Sequence, residues 1–580
     1  MKTIKKLKLG GLLFAIVIAF ALSTNAYASN IRITSEPTIG EAGTEHGGAA
    51  FKIVRFSLAW DYSWRSAQLR NWDGAWVFVK YRVGMDHWDH MYIDPTFDPR
   101  TGMQNNGVAM AFEYGMTPDT DGGELGAVGI FLFREGTGQG NINWQNIGLR
   151  WRFDRPNTYI GREQLVAGDE IIVRVFAIEM VYIPEGSFFL GDGSNMPGTF
   201  TRADELRHVN IPFQVTSEGA ISLAIRPADA SGLSDVVGAL SAIGDSASVF
   251  STDSFGIGAP GTNAIPGAFP KGYRAFWVMK YEITQSAYMD FLNTLTHVQQ
   301  VNRMRAGGAA GPNSRVMVPE GVTNCRNNIR VRTAGVIEFG MSTANDVWNQ
   351  EGDGHGIANA MGPGDLLAYL AWAGLRPMTE LEFEKIARGP LAPVPLEFVW
   401  GATVHFGAAE PGNGHLINPG QPNEAFVLPA GVNHNNSAPA GQGATMVTRN
   451  GAFATSESDR IKAGATFWGV MEMGSNLAET VVNISTTAGR GFRGTHGDGR
   501  LTREGAAEVL SWPEERTLGA YIPGIGHRGG NVSHGLGRGL QTLSQRDAVN
   551  NRWEHQYWTG GRGVRTAGQR GQHTSSGGGS

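Results

Sequence analysis

Short apolar runs separated by clusters of glycine, aspartate and asparagine dominate the chain after residue 30. In the first part, four such runs have strand character, at residues 76–83, 127–134, 146–153 and 170–177. Short strands with frequent turn signals between them favour a β-sandwich. We therefore predict an all-β, sandwich-like domain over residues 29–177, followed without an obvious linker by the rest of the chain.

Helical periodicity occurs only in the second part of the chain. Residues 286–295 follow Thr284, which is a suitable N-cap, and place their apolar positions on one face. Two further helices are predicted between residues 364 and 387, where Thr379 and Glu382 have the spacing of a capping box. Few helices among many short strands predict an α+β fold for this part.

The N-terminus has the layout of a secretory signal peptide. Four lysines precede an apolar run at residues 12–22, and Ala26-Tyr27-Ala28 then offers the small-x-small pattern that signal peptidase cleaves. The run is shorter than the ~20 residues of a spanning helix, and no later segment reaches that length. We predict a signal peptide over residues 1–28, no transmembrane segment after cleavage, and an extracellular, cell-surface or periplasmic location.

Composition narrows the function classes. The 81 glycines and the charged fraction of 17% indicate a turn-rich fold. The formal charge of −5 is dispersed, so nucleic-acid binding is not expected. Cys325 is the one cysteine, so no disulfide can form within the chain. The tryptophans of the first part have two interpretations, a platform for a glycan or other ligand and ordinary core packing, of which packing is favoured; they are Trp60, Trp64, Trp72, Trp76, Trp88, Trp144 and Trp151.

Six segments in order carry a resemblance to a known family. They are MVYIPEGSFFLG at 180–191, FWVMKYEITQ at 276–285, LRPMTELEFEKIARG at 375–389, FWGVMEMGSNLAE at 467–479, GHRGG at 526–530 and GRGVR at 561–565. Together they resemble the formylglycine-generating enzyme, or sulfatase-modifying factor, family. The resemblance implies a C-type-lectin-like domain over residues 178–566, with insertions at about 194–270 and 301–363, and leaves 567–580 as a flexible Gly/Ser tail.

The family's oxidase branch binds copper through two cysteines near the C-terminus, and soft thiolates suit copper(I). This chain has no cysteine after Cys325, so no copper is expected and the chain resembles a non-catalytic member. The family feature that can persist is a Ca²⁺ site. By resemblance it would use the carboxylates of Glu472 and Glu479 and the carbonyls of Ser475 and Leu477, which are hard oxygen ligands of the kind Ca²⁺ prefers. An equal alternative is that Glu479 is a capping residue or forms a salt bridge within the core.

The sequence thus favours an exported, non-catalytic binding or structural protein, without assignable catalytic or cofactor-binding residues. Its partners would be an extracellular glycan or protein, or further copies assembling at the cell surface. Aromatic residues of a C-terminal loop are candidate ligand contacts, although core burial is an equal alternative for them: Trp553, His555, Tyr557 and Trp558. The alternative function is a metal-dependent oxidase, with non-haem iron or copper held by ligands other than cysteine, which rests on analogy of fold.

Overall fold

The computed structural model of the chain describes residues 31–44, 50–84, 87–116, 126–151, 170–196, 198–203, 211–224, 237–243, 264–304, 311–317, 326–333, 337–341, 360–404, 415–417, 424–427, 447–454, 458–514, 522–531, 546–547 and 558–568. These residues form mostly β-sheet with few helices, which is an α+β composition. The predicted signal peptide, the C-terminal tail and Cys325 lie outside the described residues. Within them, no helix combines the length and the apolar character needed to cross a membrane.

Ten strands form the first part of the fold: β1 Arg32–Ile33, β2 Thr38–Thr44, β3 Ala50–Ser66, β4 Asn71–Val83, β5 Asp89–His90, β6 Gln104–Asn105, β7 Met110–Met116, β8 Ala127–Arg134, β9 Gly138–Trp151 and β10 Ile171–Ile183. β3 pairs with β9 on one edge and with β1 and β2 on the other, while β4 pairs with β8 and β10. Side chains from β3, β4, β8 and β9 meet in one buried cluster.

The strands after residue 183 are shorter: β11 Phe188–Leu190, β12 Phe200–Arg202, β13 Phe213–Val215, β14 Ile221–Ser222, β15 Leu240–Ala242, β16 Ala264–Ile265, β17 Phe276–Met279, β18 Ile329–Thr333, β19 Glu338–Met341, β20 Arg376–Pro377, β21 His415–Ile417, β22 Ala425–Val427, β23 Ala478–Val482, β24 Ile525–Arg528, β25 Arg546–Asp547, β26 Thr559–Gly560 and β27 Gly563–Thr566. The helices are α1 Gln285–Leu292, α2 His297–Arg303, α3 Pro363–Trp372, α4 Glu380–Arg388 and α5 Thr487–Arg490.

One sheet runs through both parts of the chain. β10 pairs with β4 through residues 171–181 and with β17 through residues 180–183, and β27 and β20 continue the sheet beyond β17. Residue 177, the predicted domain boundary, therefore lies inside a single strand. The division into domains stays a prediction, and the two parts share backbone hydrogen bonds across it.

The helix starts follow the local signals. Thr284 caps α1 by accepting a hydrogen bond from the backbone N–H of Ala287, and Thr379 and Glu382 form the predicted capping box of α4. α1 ends three residues before the predicted 295. The reason is tertiary, because the side chain of Asn293 exchanges two hydrogen bonds with the backbone of Phe339.

Tryptophan supplies much of the interior, as the packing interpretation predicts. Trp60, Trp76 and Trp144 are fully buried, and Trp72 and Trp151 nearly so. Trp64 and Trp88 are half-buried. The rings pack on one another, with Trp60 set edge-on to Trp144 at 5.2 Å between centroids. Large flat side chains thus build a core in a fold with little helix.

Candidate functional site

Three of the four predicted Ca²⁺ ligands, Glu472, Ser475 and Leu477, lie on the tight turn that leads into β23, and the fourth, Glu479, is the second residue of that strand. Glu472, Ser475, Leu477 and Glu479 are all buried. Two residues of this turn have left-handed backbone conformations, Glu472 with φ of 56° and Asn476 with φ of 66°. Because such a conformation is costly for a residue other than glycine, tertiary contacts must hold the turn in place.

Glu282, between β17 and α1, supplies those contacts. Its carboxylate accepts hydrogen bonds from the backbone N–H of Leu477 at 3.0 Å and from the side-chain amide of Asn476 at 2.7 Å. Its backbone carbonyl accepts from the side-chain amide of Asn450 at 2.8 Å. One oxygen of Glu472 accepts from the backbone N–H of Gly451 at 2.7 Å. Three distant segments therefore meet at these acids.

Arg562, which precedes β27, is the buried cation of the group. Its Nε donates to Oε1 of Glu479 at 2.6 Å, and the same carboxylate oxygen contacts Nη2. Its Nη1 donates to the carbonyl oxygens of Lys280 at 3.0 Å and Met279 at 3.3 Å. Arg562 therefore joins the start of β23 to the end of β17.

We call Glu282, Glu472, Glu479 and Arg562 the carboxylate cluster. It contains three acids and one guanidinium, all at most 2% exposed. Burial raises the pKa of Glu472 to about 7. Burial and the neighbouring Glu479 raise the pKa of Glu282 well above its usual value, and burial also raises that of Glu479. Because burial disfavours the charged form of all three carboxyl groups, a proton or a bound cation stabilises the cluster.

Three acceptor oxygens at this place have no donor among the described residues: Oε2 of Glu472, Oε2 of Glu479 and Oδ1 of Asn450. Buried oxygens without donors fit the ligand preference of a hard cation. Two of the three belong to residues of the predicted Ca²⁺ set. In the described part of the chain, no three His, Cys, Asp or Glu side chains converge as a metal-ion group. A cation here would therefore use two carboxylates with amide and backbone oxygens.

Glu282, Arg562 and Asn450 belong to this site although the sequence did not predict them as members. Glu282 and Arg562 stand inside two of the six segments that carry the resemblance, among residues that are otherwise buried. A charged side chain in such a position was the available signal, because an ionised group is buried only with a partner.

The predicted ligand-binding residues are only partly described. Trp558 is 6% exposed and belongs to a small apolar cluster with Leu477 and Ala478, which favours packing for this residue. Its ring lies 5.8 Å from that of His527. The ring nitrogens of His527 are buried without a hydrogen-bond partner in the described part of the chain, and burial lowers the pKa of this side chain to about 4. Trp553, His555 and Tyr557 lie outside the described residues, and their role stays a prediction.

Comparisons with known proteins leave the family open. No model of a protein family matches the chain. No curated protein matches it either. The resemblance to the formylglycine-generating enzyme family thus rests on the six sequence segments, and the function rests on the chemistry of the carboxylate cluster.

The raised pKa of Glu472 predicts a pH dependence of stability. Because the folded chain holds this proton more tightly than the unfolded chain, the contribution is complete below pH 4.5 and is lost as the pH rises through about 7. Relative to a Glu472→Gln variant, the wild type should lose stability over this window, by at most about 3 kcal/mol. Urea unfolding of both proteins from pH 4.5 to 8, without divalent cations, measures the difference.

The comparison between the two proteins is essential because other buried groups titrate as well. Asp73 also has a pKa raised to about 7, by burial and by Glu179, whereas burial lowers the pKa of His527. Both groups remain in the variant, so their contributions cancel in the difference. Glu338→Gln, at an exposed position, is the matched control and should parallel the wild type. A pH-independent difference between wild type and Glu472→Gln would contradict the raised pKa.

Proposed function

We propose that the chain is an exported, non-catalytic binding or structural protein built on a formylglycine-generating-enzyme-like scaffold of C-type-lectin type. The observation that supports the proposal is the burial of the acidic groups that a catalyst would need. Glu282, Glu472 and Glu479 are at most 2% exposed, and each accepts hydrogen bonds from the chain itself. A general acid or base must reach its substrate, whereas these carboxylates hold backbone segments in place.

The proposed role of the carboxylate cluster is structural. A Ca²⁺ ion held by Glu472 and Glu479, with carbonyl oxygens of Ser475 and Leu477, would replace the protons that otherwise neutralise the acids. It would fix the turn before β23 against the segment around Asn450. Loops that a rigid scaffold presents can vary in sequence while the fold is preserved, which suits recognition of an extracellular glycan or protein, or assembly at a surface.

Ca²⁺ should therefore stabilise the protein. At a concentration one hundred times the dissociation constant, a single site that binds only the folded chain adds about 2.7 kcal/mol. We expect the thermal midpoint to rise on titration of Ca²⁺ into chelator-treated protein and to fall again with excess chelator. Glu479→Gln should abolish the response, while Glu338→Gln should keep it. A Ca²⁺-insensitive midpoint would refute the cation site.

The choice between this function and an oxidase needs a second measurement. Elemental analysis of the purified protein, with an oxygen electrode in the presence of a thiol reductant, distinguishes them. The binding or structural function predicts Ca²⁺ at up to one equivalent and no oxygen consumption above that of the buffer. Stoichiometric iron or copper together with oxygen consumption would overturn it in favour of a metal-dependent oxidase with non-cysteine ligands.

A further inference from the structure

β10 has an edge that is only partly paired. It bonds to β4 through residues 171–181, but on its other edge β17 pairs only with residues 180–183. In the described part of the chain, no backbone group of residues 171–178 bonds to a strand on that second edge. In the described part of the chain, residues 171–178 of β10 therefore form an edge of the sheet on this side.

The direction of the free backbone groups follows from two flanking hydrogen bonds. The carbonyl of Glu170 accepts from the N–H of Gly84, on the β4 side, and the carbonyl of Glu179 accepts from the N–H of Lys280, on the β17 side. Alternate residues of an antiparallel strand point their backbone groups to the same neighbour. Ile171, Val173, Val175 and Ala177 thus direct their N–H and C=O groups away from β4, repeated about 7 Å apart.

A groove of about 690 Å³ lies along this edge. It is bounded by residues 33–37, by residues 173–176 of β10, and by Asp290 and Asn293 at the end of α1. Ile33, Val173 and Val175 pack against the core of the first part of the chain, and most of the other residues that line the groove are polar. Its volume is that of a pocket that holds a ligand.

The charges of the groove favour a basic ligand group. Asp290 is largely buried, no hydrogen bond reaches its carboxylate in the described part of the chain, and burial raises its pKa to about 6 against the opposing effect of Arg174. The guanidinium of Arg174 already lies 4.8 Å above the ring of Trp88. Glu36, exposed at the opposite wall, adds a second carboxylate. The two acids therefore outnumber the arginine.

In the described part of the chain, residues 171–178 of β10 have neither proline nor a β-bulge, two of the devices that natural sheets use against strand addition. Proteins protect free edges with proline, inward charges or β-bulges. The outward-bonding positions of β10 are Ile171, Val173, Val175 and Ala177, and its register with β4 has no irregularity. A regular, partly unpaired edge beside a groove with two carboxylates has the features of a site for strand addition.

We propose that this groove binds an extended peptide segment that carries a lysine or arginine. The segment adds to the sheet beside β10, bonding to the backbone of Val173 and Val175, and its basic side chain reaches the carboxylate of Asp290. The backbone groups give affinity for any extended chain, and Asp290 selects the charge. The site goes beyond the proposed function and is independent of the carboxylate cluster and of the C-terminal loops.

Three synthetic octapeptides of alternating threonine and valine test the proposal on the full chain by fluorescence anisotropy. One has a central lysine, one has a central glutamate, and one has the lysine with N-methyl groups on alternate amides. We expect the lysine peptide to bind with a dissociation constant below 1 mM, and the other two to bind at least tenfold more weakly. Failure of the lysine peptide to bind at 1 mM, or equal binding of the N-methylated peptide, would overturn the proposal.

Two variants place the binding at the groove. Asp290→Asn should remove the preference for lysine over glutamate. Val175→Pro removes an outward-facing N–H that β4 does not use, and should weaken the lysine peptide at least tenfold. Glu338→Gln is the surface control and should bind like the wild type. If both groove variants bind the lysine peptide as the wild type does, the peptide site lies elsewhere and the proposal is wrong, while a loss of folding in Val175→Pro leaves Asp290→Asn decisive.

Discussion

Replacement of Arg562 by methionine is expected to cost about 3–5 kcal/mol of folding free energy, the range found when one partner of a buried ion pair is removed. The change leaves Glu479 without a cation and takes the donors away from the carbonyls of Lys280 and Met279. Methionine preserves most of the side-chain volume, so the loss reports charge and hydrogen bonding. Guanidinium unfolding of both proteins at pH 7.5, without divalent cations, measures it.

Two further variants separate the ion pair from a general packing defect. Arg332→Met removes a pair with Glu338 in which both side chains are about half exposed, and should change stability by less than about 1 kcal/mol. The double variant Arg562→Met with Glu479→Gln should lose less stability than the sum of the losses in the two single variants, because it has no uncompensated charge at this place. A loss below about 1 kcal/mol in Arg562→Met would show that the pair does not hold the start of β23.

Local signals in the sequence predict elements whose causes are local. Residues 127–134 coincide with β8, and Thr284 and Thr379 cap the helices that follow them. Capping needs only residues within one turn of the helix, and a run of apolar residues bounded by turns is a property of one segment. These parts of the fold can therefore be predicted before any tertiary contact is known.

Elements that depend on distant partners cannot be predicted from local sequence signals. The predicted strand at residues 76–83 omits the first five residues of β4, which include Asn71 and Asp73. Both are buried and have hydrogen-bond partners on other segments. Asn71 donates to the carbonyl of Trp468, and Asp73 accepts from the indole of Trp60. A polar residue at a strand start suggests a loop until such partners are known.

The candidate site follows the same division. The segment with Glu472 and Glu479 could be located from the sequence, whereas Glu282 and Asn450 join it only through folding. Glu282 lies 195 positions from Leu477, and Asn450 lies 168 positions from Glu282, to whose carbonyl it donates. The charge of the cluster depends on all of these residues together. The sequence therefore predicts where a cation could bind. The structure adds which groups neutralise the acids when no cation is bound.

The second large effect is expected for Trp277→Ala. Trp277 is fully buried on β17, and its ring stacks on Phe131 of β8 at 4.4 Å between centroids. It also meets Tyr182 of β10 at 5.3 Å and Phe133 of β8 at 5.5 Å. Removal of such a ring from a packed core costs about 3–5 kcal/mol. Trp277→Phe, which keeps part of the aromatic contact, should cost less, and Val298→Ala, at a position 47% exposed, should cost almost nothing.

The way in which Trp277→Ala unfolds matters as much as the size of the loss. Its ring contacts β8 from the first part of the chain while its backbone pairs with β10, the strand that both parts share. If the continuous sheet couples the parts, calorimetry of the wild type should show one transition, and the variant should show the same transition at a lower temperature. Two separate transitions, of which the variant shifts one, would mean that residues before and after β10 unfold independently. In that case β10 would be a connection between domains, and the free edge beside Val175 would belong to the first domain alone.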